Sequence, residues 1–443
     1  MAEPLTVLFM PESAYGPTNN CIGIGDVLRR NGHRVVFAAE ASWATRLEPL
    51  GFVEELVDLA PPPEPDPGGA DLDAGQFWKE FIRDTAPEFR KPTIRQLETF
   101  MVPTWQALID GAKYCEPQLR EIIARQAPDV IVEDNVVSFP ALQTAGKPFV
   151  RIVSCNPLEI RGADLDGATA IPPTYSGLPS DDTTEWEAFH EEYDRTHRPT
   201  WQAFDDWCRE NGTGPLPELE FTHTSRELNV YVYPQVVDYT DRRPLPRELW
   251  QRLDSSVRAT DAAFELPPEL GDRPAGSALV YLSLGSLGSA DVDLMRRLVS
   301  VLAETPHRFV VSKGPQHAEY DLAPNMWGAE FLPQTSIIPL VDLVLTHGGN
   351  NTTTESFHFG KPMVVLPLFW DQYDNAQRVD ETGFGVRLPT YAFEPAELTG
   401  AIDQLLGDVA LRTRLAGIGA EIRARDGVAK AAAAIEAVGL GAR

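Results

Sequence analysis

A histidine followed by two glycines is the feature of the sequence that points most directly to chemistry. His347, Gly348 and Gly349 come directly after an apolar run, Leu340 to Leu345, which predicts a buried parallel strand. A helix is expected to begin near Asn351. Glycines let the backbone approach a ligand closely, and the free amides at a helix N-terminus attract anions. The segment therefore predicts a phosphate-binding turn.

The side chains that follow this turn can extend the site. Asn351 and Thr352 are expected to cap the helix while donating to the same phosphate oxygens. His347 can donate a ring proton to a phosphate oxygen, and protonation of the ring would strengthen that contact. Glu355 lies one helical turn after Asn351, on the same face, where its carboxylate could accept from paired ribose hydroxyls.

A second loop adds groups that suit a sugar. Asp371 offers only acceptors and Gln372 offers both a donor and an acceptor, a combination that fits adjacent sugar hydroxyls. A glycine turn that enters a helix is common in α/β proteins and is a weak signal alone. Together with this second loop it predicts a nucleotide-sugar site.

The order of these motifs resembles the donor signature of the family 1 glycosyltransferases, which comprise plant secondary-product, mammalian glucuronosyl and bacterial antibiotic enzymes. Any one motif can mislead, but four in the family's order are a specific signal. The matching segments are Phe331-Leu-Pro-Gln334, His347 to Glu355, Gly360-Lys-Pro-Met363 and Asp371 to Asn375.

The resemblance implies roles for the matching residues. The ring of Phe331 would stack on the nucleobase, with a smaller face than the family's usual Trp, and Gln334 belongs to the same motif. Ser286 ends a segment, Val280 to Ser286, that resembles the strand and turn opening the family's second domain, and it would lie near the diphosphate. Glu355 would hold the nucleotide ribose, which favours UDP over a deoxyribose nucleotide.

The resemblance also implies a fold and a reaction. The fold is GT-B, in which two Rossmann-like, doubly wound α/β domains face each other across a cleft. The reaction is transfer of a hexose, with inversion, from a UDP-type sugar donor to an apolar small-molecule acceptor; the UDP-sugar is a co-substrate, and no cofactor is expected. No metal is expected either, because helix dipoles, His347 and hydroxyl donors can stabilise the leaving diphosphate and no Asp-x-Asp motif stands out.

The apolar segments predict two α/β halves that would position these groups. Residues 1–235 are assigned to an acceptor-binding domain, 236–276 to a polar, proline-rich linker, and 277–443 to a donor-binding domain. The alanine-rich stretch from Val428 to Val438 predicts a terminal helix, which in the family often packs back onto the first domain. In the first half, strands are predicted at 6–10, 34–38, 129–134 and 149–153, and a helix at 22–30.

Large aromatic residues at helical spacing fill the rest of the first half. Such residues are usually core, since packing requires that spacing. We expect most of them to be core and a few to line an apolar acceptor pocket. They are Phe77, Trp78, Phe81, Phe89, Phe100, Trp105, Trp186, Phe189, Trp201, Phe204 and Trp207.

Composition excludes several classes of partner. The formal net charge of −27 argues against nucleic acid and against docking on anionic lipid. No apolar run approaches the roughly 20 residues that span a bilayer, and the N-terminus enters a strand directly, so a cytoplasmic location is expected. Cys21, Cys115, Cys155 and Cys208 are widely spaced and form no CxxC pair, which favours reduced thiols over disulfides or a zinc site.

The first half departs from the family at the position of the catalytic base. Members with a bacterial-type N-terminus usually have Gly-His-x-x-Pro after the first strand, and the His removes the acceptor's proton. Aligned backward from Gly32-His33, this chain has Gly16-Pro17-Thr18-Asn19-Asn20. Pro17 occupies the base position, and a proline side chain can neither accept nor donate a proton.

Three explanations of this departure remain open. In the first, Asp134, whose position resembles that of the acid that orients the family's His, acts as the base itself; in the second, Glu12, at the mouth of the first strand, supplies the carboxylate. Either carboxylate would need burial in an apolar pocket to raise its pKa. In the third, the acceptor is a phenol or an enol and needs less help. The structural alternatives are that Asp134 caps the next helix and that Glu12 is a solvated loop residue.

Two rival functions follow from the same departure. One is a non-catalytic nucleotide-sugar-binding or accessory protein that retains the donor site, which Pro17 favours. A weaker rival is a GT-B epimerase that acts on the donor itself.

Overall fold

The computed structural model describes residues 3–61, 85–161, 170–271 and 273–441 of the chain. Three of the aromatic residues expected in helices, Phe77, Trp78 and Phe81, lie outside the described residues. Within those ranges no helix is both long and apolar enough to cross a membrane.

The first half forms a seven-stranded sheet in the order β3-β2-β1-β4-β5-β6-β7. Every pairing in it is parallel, so both faces must be covered, and most residues of the central strands are apolar. The strands are β1 Thr6–Pro11, β2 Arg34–Glu40, β3 Val53–Val57, β4 Val130–Asp134, β5 Phe149–Val153, β6 Leu228–Val232 and β7 Trp250–Leu253.

The second half forms a six-stranded sheet in the order β10-β9-β8-β11-β12-β13. Its pairings are also parallel. Two doubly wound sheets therefore confirm the predicted α/β class. The strands are β8 Leu279–Ser283, β9 Arg308–Ser312, β10 Met326–Ala329, β11 Leu343–Thr346, β12 Met363–Val365 and β13 Gly385–Arg387.

Helices connect and cover the strands, as parallel pairing requires. In chain order the α-helices are α1 Tyr15–Arg30, α2 Thr93–Gln96, α3 Val102–Gln126, α4 Pro140–Gln143, α5 Trp186–Glu210, α6 Pro268–Gly271, α7 Gly285–Gly288, α8 Val292–Ala303, α9 Gln334–Ile337, α10 Asn350–Phe359, α11 Gln372–Glu381, α12 Pro395–Gly407, α13 Val409–Arg425 and α14 Gly427–Gly441. A π-helical turn, Leu97–Met101, joins α2 to α3.

Two predicted boundaries differ from the structure. The strand predicted from Leu340 begins only at Leu343, because a 3₁₀ turn over Ile338–Leu340 leaves Leu340 47% exposed. Helix α1 begins at Tyr15, seven residues before the predicted start at Ile22, so Pro17 lies in its first turn. Proline is tolerated there because first-turn amides have no acceptor within the helix.

Strand β7 lies inside the segment predicted to be a linker. Its four residues pair with β6, and Asn229 lies opposite Trp250. Trp250 and Leu253 are buried, whereas the two residues between them are polar and partly exposed. A short edge strand with so little apolar sequence gives no visible strand pattern. The first domain was therefore predicted to end at residue 235, whereas its sheet extends to Leu253.

The C-terminal helix α14 packs against the first sheet and α1. Ala431, Ala432 and Ile435 are fully buried in the same core as Leu5 and Ile22. The small alanine side chains allow α14 to approach closely. Helix α14 thus packs back onto the first domain, as the resemblance implies.

Candidate active site

The glycine turn and its neighbour form one surface at the edge of the second sheet. Strands β8 and β11 are adjacent, with Ser283 opposite Thr346, so the turns that follow them meet. Gly285 has φ +71°, a conformation that favours glycine. A Cβ on Gly285 would lie 2.8 Å from His347 Nε2, and a Cβ on Gly349 would lie 2.5 Å from the same atom. The two glycines therefore make room for the imidazole between the turns.

Ser286 and Gly348 complete this surface. Ser286 is the second residue of α7, directly after Gly285, which adjoins the His347 ring; its place near the diphosphate stays a prediction. Gly348 has φ +84°, and a Cβ on it would lie 2.8 Å from Val365 Cγ1. Only glycine fits this position without strain.

The His347 ring is half-buried between the two turns. Burial lowers its pKa to about 4, against a hydrogen bond at the Ser283 backbone that raises it. Without a bound anion the ring is therefore neutral at physiological pH and can offer one N–H to phosphate.

The predicted capping of α10 by Asn351 and Thr352 is wrong. The helix begins at Asn350, with Gly349 as its N-cap and no side-chain cap. Because the helix starts a residue early, Asn351 Nδ2 instead donates to Gly16 O at 3.0 Å, and Thr352 Oγ1 accepts from Gln334 Nε2 at 3.2 Å. No side chain therefore caps the first-turn N–H groups of α10, and these groups can donate to a bound anion.

Gln334 and Glu355, predicted from separate motifs, are in contact. Gln334 Nε2 donates to Glu355 Oε2 at 2.6 Å. Glu355 is buried, which raises its pKa, and Arg258 opposes that shift from 3.5 Å away. Arg258 itself is held by Asp261 at 2.6 Å. Sequence reasoning missed Arg258, because it lies in the polar segment predicted as a linker and in no motif.

Phe331, predicted to stack on the nucleobase, faces the first domain. It is 50% exposed, and its ring centroid lies 5.7 Å from that of Tyr15 at an interplanar angle of 36°. Tyr15 in turn packs on Trp43 at 5.3 Å and accepts from Arg46 Nη1 at 2.8 Å. This aromatic wall spans both domains.

The two predicted sugar-reading residues are held by other contacts in the loop. Asp371 Oδ2 accepts from the Asn156 backbone N–H at 2.9 Å, and Gln372 Oε1 accepts from the Leu368 N–H at 3.1 Å. Burial raises the pKa of Asp371 to about 6. Asn156 comes from the first domain, so the loop is braced across the cleft.

Asn375, the last residue of the same motif, joins this loop to the glycine turn. Its Nδ2 donates to Gly348 O at 2.9 Å, and its Oδ1 accepts from Asn156 Nδ2 at 2.9 Å. All three residues lie at the interface between the two sheets' carboxyl ends. Their contacts fix the distance between the turn and the sugar-reading loop.

A cavity next to the cleft contains both candidate bases. Asp134, Glu12 and Pro17 all line it. Asp134 is 2% exposed; its Oδ2 accepts from Ser154 Oγ at 2.6 Å and lies 3.7 Å from Cys21 Sγ. Burial raises the pKa of Asp134 to about 7, and the charge of Glu12 adds to the shift. A carboxylate with such a pKa suits proton transfer at neutral pH.

The structure also bears on the predicted alternatives, that Asp134 caps a helix and that Glu12 is a solvated loop residue. Asp134 does not cap the next helix, because α4 has Phe139 as its N-cap and no side-chain cap. Glu12 accepts from Ser13 Oγ and from the Ala14 N–H, both at 3.0 Å, so it fastens the turn before α1. Burial nevertheless raises its pKa.

A chain of hydrogen bonds connects Asp134 with the donor helix. Ser154, which donates to Asp134, accepts from Asn20 Nδ2 at 2.8 Å. The same Asn20 Nδ2 lies 2.9 Å from Asn351 Oδ1, in the first turn of α10. Sequence reasoning missed Ser154 and Asn20. Asn20 falls in the segment aligned with the family's base, but its type alone gives no signal.

Among the described residues, one group has the donor atoms of a metal site: Cys155, Glu159 and Asp371, within 4.8 Å of one another. Trp370 Nε1 donates to Glu159 Oε1 at 2.7 Å. Burial and the charge of Asp371 raise the pKa of both Glu159 and the thiol. Protonated groups are poor ligands, and we assign no metal to them.

Comparisons with known proteins agree with this geometry. Residues 294–438 match the family described as Erythromycin biosynthesis protein CIII-like, C-terminal domain. The chain is 31% identical over 430 residues to NDP-glycosyltransferase YjiC of Bacillus subtilis (strain 168), covering 96% of this chain and 95% of that protein.

Solved structures share the fold. The glycotransferase of kitacinnamycin superposes with a TM-score of 0.66 at 20% identity, covering 99% of this chain and 100% of that one. The glycosyltransferase VinC, in complex with DTDP, superposes with a TM-score of 0.65 at 15% identity, covering 98% and 99%. With its two facing doubly wound sheets and its full-length relatives, the chain belongs to the family 1 GT-B glycosyltransferases of the bacterial natural-product type.

Proposed function

We propose that the chain transfers a hexose from a UDP-type nucleotide sugar to a small-molecule acceptor with inversion and without a metal, and that Asp134 is the base. The relative YjiC is named as an NDP-glycosyltransferase, and VinC binds DTDP, so a nucleoside diphosphate is the expected donor class. The proposal rests on the position of Asp134 and on the environment of its carboxyl group. It combines a pKa of about 7 with a place in the cavity beside the cleft.

The diphosphate would bind where the two glycine turns meet. The first-turn amides of α10 and the neutral His347 ring supply donors, and Ser286 adds a hydroxyl beside them. Donors aimed at the leaving oxygens stabilise the charge that develops as the bond to the sugar breaks. That stabilisation is the role a metal would otherwise have.

The nucleoside and the sugar would lie on either side of the diphosphate. Phe331 offers half of its surface for stacking on a base, and Glu355 with Gln334 would exchange their mutual hydrogen bond for ribose hydroxyls. Asp371 and Gln372 would take the hexose hydroxyls. Because Glu355 would contact the 2′-hydroxyl, we expect UDP to bind more tightly than its 2′-deoxy counterpart.

Transfer would occur in a single displacement at the anomeric carbon. The acceptor oxygen attacks the anomeric carbon from the face opposite UDP, and the bond between that carbon and the diphosphate oxygen breaks, with its electron pair leaving on UDP. The acceptor's proton passes to Asp134, directly or through one water. A base with a pKa of about 7 is half ionised at neutral pH, so Asp134 can replace the function missing at Pro17.

The test is incubation with UDP-glucose or dTDP-glucose and a panel of phenolic acceptors, with products identified by mass spectrometry and their anomeric configuration by NMR. We expect a β-linked product from the α-linked donor, with UDP-glucose preferred. Tight UDP binding without transfer to any acceptor would instead favour the nucleotide-sugar-binding protein that Pro17 suggests. Isomerised donor in the absence of an acceptor would favour an epimerase.

A further inference from the structure

Two consecutive aromatic side chains of the second domain, Phe369 and Trp370, pack against the first domain. They directly precede Asp371 and Gln372, the predicted sugar-reading residues. The ring of Phe369 stacks on that of Phe89, with 4.8 Å between the centroids and an interplanar angle of 30°. The loop that would read the sugar is therefore anchored on the neighbouring domain.

Trp370 occupies a slot in the first domain. Its ring packs on Trp105 at 4.9 Å and on Tyr175 at 5.3 Å. Its Nε1 donates to Glu159 Oε1 at 2.7 Å. Two ring contacts and one directed hydrogen bond, all with the first domain, thus fix the orientation of the indole.

The backbone of Trp370 has a conformation that tryptophan rarely adopts. Its φ is +58°, in the left-handed region, where a Cβ crowds the neighbouring carbonyl oxygen. Tyr175, which packs against it, has φ +66°. Such strain persists only where surrounding contacts determine the conformation, and it clusters at functional sites. The contacts of the indole hold Trp370 in this conformation.

Tyr175 is held in turn by α11, the helix that follows the sugar-reading loop. Its backbone N–H donates to Asp374 Oδ2 at 2.6 Å, and the Gly177 N–H donates to Asp374 Oδ1 at 2.9 Å. Gly177 has φ +60°, and a Cβ on it would lie 2.9 Å from Tyr373 Cβ, so this part of the first domain lies directly on α11. The loop, its slot and the helix that follows therefore support one another.

The conformation of Trp370 determines where the next residues point. Asp371 follows it directly as the N-cap of α11. The Gln372 N–H donates to Phe369 O at 3.3 Å, and Gln372 Oε1 accepts from the Phe369 N–H at 3.3 Å. Because φ and ψ are the only soft backbone torsions, a change of φ at Trp370 would turn both sugar-reading side chains.

We propose that Trp370 is a positioning residue for the donor sugar: its indole, seated in the first domain, fixes the direction in which Asp371 and Gln372 meet the hexose. The inference rests on the proposed function, in which these two residues take the hexose hydroxyls. It adds that reading of the hexose depends on a slot in the first domain. Binding of UDP uses groups outside this loop and does not depend on the slot.

The test is calorimetric measurement of the Kd for UDP and for UDP-glucose in the original protein and in Trp370→Gly. Glycine adopts a positive φ without strain, so the turn can persist while the indole is removed. The ratio of the UDP-glucose Kd to the UDP Kd is expected to rise about tenfold, because hydrogen bonds to the hexose are misaligned. The Kd for UDP should stay within about twofold of its original value.

Trp370→Phe is the second variant, because it keeps a ring in the slot and removes the N–H that bonds to Glu159. It should raise the ratio less than Trp370→Gly does. Trp327→Phe is the matched control: Trp327 is also half-buried in the second domain, but it packs on Phe264 in β10, the edge strand farthest from β12 on that side of the sheet. The control should leave the ratio unchanged.

An unchanged ratio in Trp370→Gly, or equal weakening of UDP and UDP-glucose, would overturn the inference and leave the indole a role only in joining the domains. If Trp370→Gly does not fold, the ratio in Trp370→Phe decides by the same criterion. The test measures binding alone, so it is separate from the proposed function. Absence of sugar transfer by the original protein would defeat that function without altering what the ratio shows.

Discussion

Removal of the Ser154 hydroxyl is expected to shift the pH dependence of sugar transfer. Ser154 Oγ donates to Asp134 Oδ2 at 2.6 Å, and this bond lowers the carboxyl's pKa against the larger effect of burial. In Ser154→Ala the carboxylate loses the donor. A hydrogen bond to a charged group of roughly 1.4 kcal/mol corresponds to about one pKa unit.

The consequence for the rate follows from the ionised fraction of Asp134. With a pKa of about 7, half of the carboxylate is ionised at pH 7. A pKa of about 8 leaves about one part in eleven ionised, so kcat/KM should fall about fivefold at pH 7. At pH 9 both proteins are almost fully ionised, and their rates should converge.

The assay is kcat/KM from pH 5.5 to 9.5, which reports the ionisation of the free enzyme. Ser154→Thr keeps a hydroxyl and should retain the original profile. Cys21→Ala removes the weaker contact at 3.7 Å and should shift the acid limb less. A Ser154→Ala profile that is uniformly lowered, with no shift of its acid limb, would refute Asp134 as the titrating base.

Three further predictions concern named side chains. Asp134→Asn should flatten the pH dependence of the free energy of unfolding. The pKa of the Asp134 carboxyl is raised from 3.8 to about 7 in the folded protein, so its protonated form stabilises the fold in acid and that stabilisation is lost as pH rises through 7. Denaturant titrations should show that the original protein loses about 1.4 kcal/mol more than the variant between pH 6 and 9, and an equal loss in both would contradict a buried carboxyl. His347→Ala should weaken UDP binding by calorimetry about 10- to 150-fold, while an unchanged Kd would remove His347 from the donor site. Phe331→Ala should weaken UDP binding by about 1–3 kcal/mol and Phe331→Trp should strengthen it; identical affinities would exclude stacking there.

The sequence was most informative where function restricts residue type. The donor turn requires glycine at three positions, because a side chain there would clash with His347 or Val365: Gly285, Gly348 and Gly349. These glycines made the turn recognisable in the sequence. Buried parallel strands were visible as apolar runs for the same reason, since both faces are covered. These features supplied the fold class and the family.

Tertiary contacts between ordinary polar residues could not be predicted. Asn20, Ser154 and Asn156 belong to no motif. The fold of the first domain brings Asn20 to Ser154 and Ser154 to Asp134, and the meeting of the two domains brings Asn156 to Asp371. The same reason explains the wrong capping of α10, where Asn351 bonds across the cleft to Gly16 instead of its own helix. Local preference was overridden by a partner 335 residues away.

The aromatic residues illustrate the intermediate case. Helical spacing predicted that most were core, and Phe100, Phe204 and Phe189 are buried as expected. Trp105 is buried too, but its ring lines the cavity and its N–H is unpartnered. Periodicity identifies the buried face of a helix and does not distinguish a packed core from the wall of a pocket.

The central claim is that Asp134 removes the acceptor's proton in a chain with proline at the family's base position. Single-turnover transfer from UDP-glucose by Asp134→Asn tests it most directly, with UDP affinity measured in parallel. We expect the rate to fall about 10²- to 10⁴-fold while the Kd for UDP stays the same. A variant that transfers at the original rate with the original affinity would contradict the account.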